Sequence, residues 1–163
     1  GRSGMFEDLK RPESLNDMAN DWESAIQQTR ERADIHAAKL AYFGLSMGSI
    51  YGIPMLARRN DIVVSTLGLW GDVPRLPRSA TILSAAATLN HPILFIMQLE
   101  DEIVDRDGYL TLFDKFGSAN KRIHANPGRH AEIALDEIEF AITFMLRHAQ
   151  SELGERKIAT LSE

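Results

Sequence analysis

The residues best suited to do chemistry in this chain are Gly44-Leu45-Ser46-Met47-Gly48, a G-x-S-x-G pattern. A serine hydroxyl is a weak nucleophile unless it is exposed, fixed in place and set beside a base. A tight turn from a strand into a helix gives that exposure, and small residues two before and two after the serine let the chain fold so sharply. The helix that follows would aim the backbone N–H of Met47 at a developing oxyanion. At average Gly and Ser usage, three such positions turn up by chance in roughly one chain of this length in twenty, so the context must carry the argument. Before the pattern stands Leu40-Ala41-Tyr42-Phe43, an unbroken apolar run of the kind buried on both faces in a parallel sheet. After it, Ser49 to Arg59 reads as a helix that Pro54 should kink or end early.

Stepping outward, the same alternation recurs twice. Ile62-Val63-Val64-Ser65-Thr66-Leu67 reads as a strand, followed by the loop Gly71 to Pro77 and a helix from Ala80 to Leu89. Pro92 to Met97 is another apolar strand, and the helix beyond it carries Tyr109, Leu110, Leu112, Phe113 and Phe116, with Gly117 placed to end it. A short strand, Lys121 to His124, reaches the turn Asn126-Pro127-Gly128. The last helix sets Ala134, Ile138, Ala141, Met145 and His148 on one face, and the polar stretch from Gln150 is expected to fray. At the other end, Arg11 to Ser14 reads as a loop entering a helix capped by Ser14 or Asn16, with an apolar stripe of Met18, Trp22, Ala25, Ile26 and Thr29. The expected class is α/β: an open parallel sheet with helices on both faces, in a single domain over 1–163.

Composition narrows the chemistry. The 163 residues are 44% hydrophobic and 25% charged, enough for a real core. No apolar run approaches the roughly 20 residues of a membrane span, and the first residues lack the apolar stretch of a signal peptide, so a cytoplasmic protein is expected. With 18 basic against 23 acidic residues, the basic ones scattered, there is no footprint for nucleic acid or an anionic membrane. The absence of cysteine excludes disulfides, thiolate metal sites and a cysteine nucleophile. Gly44, Gly48 and Gly52 are spaced by four, which does not give the G-x-G-x-x-G of a nucleotide site, and no P-loop lysine follows. No His/carboxylate cluster has metal-ligand spacing, so neither metal nor cofactor is expected.

With these elements in place, the chain resembles the α/β-hydrolase superfamily, whose triad runs Ser, acid, His along the sequence. Pro92 to Val104 resembles the family's strand-seven segment ending in D-x-x-V, here Asp101-Glu102-Ile103-Val104, and this places the acid on Asp101. Lys121 to His130 resembles the last strand and its G-x-H loop, which places the base on His130. Asp105 is a second candidate acid. His36, His91 and His148 suit packing or the surface, and His124 lies in a strand rather than in the loop beyond it. The short link between the second and third strands leaves no room for a large lid, which is nearest the dienelactone-hydrolase-like and small-esterase branch. Dienelactone hydrolases proper use cysteine, so Ser46 favours the esterase side.

The resemblance implies a serine hydrolase that cleaves a small ester or related acyl substrate through an acyl-enzyme. Ser46, Asp101 and His130 would be catalytic, the Met47 N–H an oxyanion donor, and Tyr51 and Trp70 would shape the acyl pocket. The alternative is a catalytically inactive fragment or binding module that keeps the fold. The resemblance runs from about Asn16 to about Arg147 and covers only the second half of the family fold. The strand at Leu40 to Phe43 would then be a bare sheet edge, which natural sheets avoid. Either a missing N-terminal segment or another chain is expected to cover it.

Overall fold

In a computed structural model, described for residues 2–32, 34, 39–74, 76 and 78–159, helices α1 (Arg2–Leu9) and α2 (Ser14–Arg30) precede an alternating series. It runs β1 (Leu40–Leu45), α3 (Met47–Leu56), β2 (Ile62–Gly68), α4 (Ser79–Ala86), β3 (Ile93–Gln98), α5 (Arg106–Lys115), β4 (Lys121–Asn126) and α6 (Leu135–Ala159). The four strands form one parallel sheet in the order β1-β2-β3-β4. The two central strands are buried throughout, as their β-branched and apolar sequences require. Along β3 the side chains divide between two cores. Ile93, Phe95 and Met97 join α1 to α5 on one face, while Leu94 and Ile96 meet Ala141 and Phe144 of α6 on the other. Consecutive crossovers in a sequentially ordered parallel sheet stay on one side, so only the helix after the last strand reaches the second face.

Several expectations need correction. β1 is not buried on both faces: Tyr42 and Gly44 face inward, while Ala41 and Phe43 are exposed. It is an edge strand, and α6 stands off from it across an apolar groove of roughly 370 Å³ lined by Ala41, Phe43, Ile138, Ile142, Met145 and Leu146. α3 ends at Leu56 and keeps Pro54 inside its last turn. On α2 the buried side is Leu15, Met18, Ala19 and Ile26, and Ala25 and Thr29 lie off it. Neither expected cap closes α2. Its flanking residue is Glu13, the Ser14 hydroxyl is buried without a partner among the described residues, and Asn16 accepts from Arg58 instead at 2.6 Å. Helix α1 has no counterpart in the sequence reading. It is held by the buried Leu9 and by Asp8, which accepts from the Tyr51 hydroxyl at 2.8 Å.

On α6, Ile138, Ala141, Met145 and His148 share the inner side with Phe144, while Ala134 is exposed. The backbone is helical to Ala159, and the last four residues of the stretch expected to fray lie outside the described residues. α5 ends at Lys115, before Gly117, and that glycine serves close approach rather than a left-handed turn, since a Cβ there would strike the Ala87 carbonyl at the end of α4. Arg75 and Pro77 of the expected loop, and His36, lie outside the described residues. Among the described residues no helix is long and apolar enough to cross a membrane.

One buried hydroxyl joins the elements that flank Ser46. Ser49 Oγ accepts from the Gly68 N–H at 2.9 Å and lies 2.7 Å from Gly68 O and 2.9 Å from Gly44 O, tying α3 to the ends of β1 and β2. Ser49→Ala leaves the buried Gly68 N–H unpaired, and a loss of about 1–3 kcal/mol is expected in urea unfolding. A change within about 0.5 kcal/mol, the size of an ordinary surface substitution, overturns that account.

Candidate active site

Ser46 sits between β1 and α3 at φ 54°, ψ −112°, a backbone state unusual for a residue with a side chain. Such a residue costs about 1–3 kcal/mol and persists only where its surroundings impose it. Here they do: its N–H donates to Gly68 O at 2.9 Å, and its own carbonyl accepts from the N–H groups of Ser49 and Ile50 at 2.9 and 3.1 Å. Gly44 is required because a Cβ there would lie 2.5 Å from Tyr42 Cε1 and 2.9 Å from the Gly48 carbonyl carbon. Gly52 is required for the same reason, since a Cβ there would strike the Tyr42 hydroxyl, whereas one at Gly48 would meet it only at an ordinary 3.9 Å. The Tyr42 ring runs across these glycines and donates its hydroxyl to Gly48 O at 2.8 Å.

The turn leaves the Ser46 hydroxyl half-exposed, with His130 Nε2 2.9 Å from it. His130 Nδ1 donates to Asp101 Oδ2 at 2.8 Å, and the two side chains are only 8% and 1% exposed. Burial pushes the Asp101 carboxyl up, but hydrogen bonds from Tyr109 Oη, the Ile103 N–H, His130 and the Val104 N–H outweigh it and hold the carboxyl below its ordinary value. The acid is therefore ionised at neutral pH and buried beside the ring. A proton leaving Ser46 Oγ can pass to Nε2, and the charge that forms on the imidazole faces a fixed carboxylate. Met47 is the first residue of α3, where a backbone N–H has no partner within the helix.

The loop bearing His130 is held by the residues that follow β3. Gln98 is buried, and its Nε2 lies 2.6 Å from Glu132 O, 3.3 Å from Arg129 O and 3.4 Å from Pro127 O. The Glu100 carboxylate accepts from the N–H of Gly128, whose φ of 113° only glycine adopts readily. Glu102 accepts from the His130 N–H at 3.0 Å, and that bond holds its carboxyl below the ordinary value. Sequence reasoning missed Gln98, Glu102 and Tyr109. An acidic triplet reads as a solvated loop, and a tyrosine on an apolar helix face reads as packing.

The structure separates the other candidates. Asp105 caps α5, accepting from the Gly108 N–H at 2.7 Å, and is not at His130. His91 meets Ser65 Oγ at 2.9 Å, and burial pushes its pKa down to about 4. His124 Nδ1 donates to Glu137 at 2.9 Å. His148 packs edge-on against Phe144. Tyr51 is buried in the larger core with its hydroxyl on Asp8. Trp70 is also buried in that core, and its Nε1 has no partner among the described residues. Among the described residues no group of three or more His, Asp or Glu is placed to hold a metal ion.

No protein-family model matches the sequence. No curated protein matches it either. The fold, by contrast, is similar to solved structures of esterases and lipases. A cold-adapted esterase from an Arctic intertidal metagenomic library is 27% identical with a TM-score of 0.74, over 80% of this chain and 55% of that one. Est1E from Butyrivibrio proteoclasticus is 14% identical with a TM-score of 0.65, over 83% and 71%. Paleococcus ferrophilus monoacylglycerol lipase is 14% identical with a TM-score of 0.63, over 83% and 75%. The match thus spans a little over half the length of the cold-adapted esterase.

A carboxyl held below its ordinary value stabilises the fold above its unfolded pKa of about 3.9, and that contribution is lost as the pH falls through the lower folded value. Asp101→Asn is expected to cost on the order of 1–3 kcal/mol at pH 7 and progressively less below pH 4. Urea midpoints across that range check it, and an equal loss at both ends overturns it.

Proposed function

We propose, from the α/β-hydrolase-like fold that this chain shares with solved esterases and lipases, that it carries the acyl-transfer machinery of a serine esterase acting on a small ester or related acyl compound. The observation that supports this most is the pair of contacts made by His130, 2.9 Å to Ser46 Oγ and 2.8 Å to Asp101 Oδ2. Ser46 Oγ attacks the acyl carbon as its proton moves to His130 Nε2. The tetrahedral oxyanion faces the Met47 N–H at the start of α3. The proton then passes to the departing alkoxide, leaving the acyl group on Ser46. Water attacks that ester, gives its proton to Nε2, and the serine recovers it as the acid leaves. Asp101 keeps the imidazole in the tautomer with its free nitrogen toward Ser46 and stabilises the charged ring. The cytoplasm is the compartment we propose.

Fluorophosphonate labelling with peptide mapping tests this reading. A single adduct on Ser46 is expected, absent in Ser46→Ala, with ester turnover falling by at least about 10³-fold in Ser46→Ala and in His130→Ala. Folded protein that takes no label overturns it and leaves the inactive fragment or binding module.

We further propose that the open edge of β1 is covered by an added strand, either from a longer form of the chain or from another chain. β1 pairs on one side only among the described residues. Phe43 is 41% and Leu146 55% exposed along the adjoining groove. A bare, apolar edge invites association. The 163-residue chain alone is therefore expected to self-associate at tens of micromolar in light scattering, and Phe43→Glu with Leu146→Glu should restore the monomer. A wild-type chain that stays monomeric at millimolar concentration overturns the proposal.

A further inference from the structure

The Asp101 carboxylate has every acceptor position filled. An ionised carboxylate offers about four lone-pair sites. The Ile103 and Val104 N–H groups take Oδ1 at 2.7 and 3.2 Å. The other oxygen is shared, for Tyr109 Oη donates to Oδ2 beside His130 Nδ1. Tyr109 does not reach this oxygen by drifting. It is fully buried in the first turns of α5, with its ring edge-on to Phe95 at a centroid distance of 6.0 Å. The start of that helix is pinned twice. Asp105 caps the Gly108 N–H at 2.7 Å, and Gly108 O accepts from the Asp72 N–H at 2.8 Å. Burial and the adjoining carboxylate hold the Tyr109 hydroxyl in its protonated, donating form.

We infer that Tyr109 is a positioning residue for the Ser46–His130–Asp101 system, fixing Oδ2 against the imidazole and limiting how strongly the carboxylate charges that ring. This rests on the esterase reading for its meaning but not for its measurement. A donor on Oδ2 draws negative charge away from the lone pair facing Nδ1. The imidazolium is then stabilised less, and the neutral ring that can accept the serine proton persists to lower pH. Without Tyr109 the same carboxylate, still held by two backbone N–H groups, makes His130 more basic.

Other groups also face His130, and two of them meet Tyr109 as well, since the Gln98 backbone hydrogen-bonds its hydroxyl and the Glu102 charge acts on it. Ser46 lies on the Nε2 side of His130. Glu102 accepts from the His130 backbone N–H, and the Arg129 guanidinium lies 3.7 Å from Glu102. Glu132 accepts from the Arg129 N–H at 2.8 Å, and Glu100 holds the Gly128 N–H. Tyr109→Phe keeps the ring packed on Phe95 and removes only the hydroxyl.

The test is an NMR pH titration of the His130 ring in the full chain, assigned by its loss in His130→Asn, together with the pH profile of kcat/KM on p-nitrophenyl acetate. In Tyr109→Phe the ring midpoint and the acidic limb of the profile are expected to rise together by about half to one pH unit. Incorporating 3-fluorotyrosine at Tyr109, a stronger donor of the same shape, is expected to move both down, and it carries the test if the phenylalanine variant does not fold. A lower kcat or melting temperature with unmoved midpoints overturns the inference and leaves Tyr109 a packing residue. If neither protein turns over the ester while the ring midpoint still shifts, the esterase reading fails and the Tyr109 inference stands.

Discussion

A residue with a side chain cannot sit at φ 54° unless something else holds it there, and for Ser46 that restraint is Gly68. The Gly68 carbonyl takes the Ser46 N–H, and its own N–H is taken by Ser49. Gly68 must itself be glycine, because a Cβ would run into the backbone of Ile96 on β3. The strain at one serine is thereby passed to the contact between the two central strands, which are buried along their whole length. The turn is sharp because the middle of the sheet is rigid, and the exposed hydroxyl inherits its position from strands that never touch it.

The second half of the site is built from charge rather than strain. Gln98, Glu100, Asp101 and Glu102 follow one another at the end of β3, and each takes hold of the segment from Pro127 to Glu132. A run of carboxylates with no cations among them ought to repel itself. It is tolerated because N–H groups of the facing loop, and those of Ile103 and Val104, point into it. At Asp101 and Glu102 those donors favour the ionised form, so the acidic run and the histidine loop hold each other in place.

Much of this was legible in the sequence, for identifiable reasons. Buried parallel strands are apolar from end to end, so β2 and β3 announce themselves, and the short pattern around Ser46 gains meaning from the strand and helix beside it. Asp101 and His130 were reachable as candidates through a family resemblance, but their meeting across 29 positions is tertiary and leaves no periodic trace. The same limit hid Gln98 and Tyr109, whose partners are backbone or distant side chains. The errors have physical causes as well. The run Leu40 to Phe43 is apolar enough for a central strand, yet its neighbours place it at an edge, where only alternate residues are covered. Helix α1, whose Asp8 takes the Tyr51 hydroxyl, left no periodic sign in the sequence and was missed.

The order of the strands also fixes when the parts of the site can meet. The serine turn needs only β1, α3 and β2, which are consecutive, so its restraints close short loops. The histidine arrives from 84 positions downstream, after β4 has paired with β3, and a contact of that span is entropically late in folding. The serine turn can therefore close before its base is in place. A chain stopped at that stage holds a serine that is exposed but unassisted, and the 2.9 Å contact between Ser46 and His130 reports that the last strand has docked.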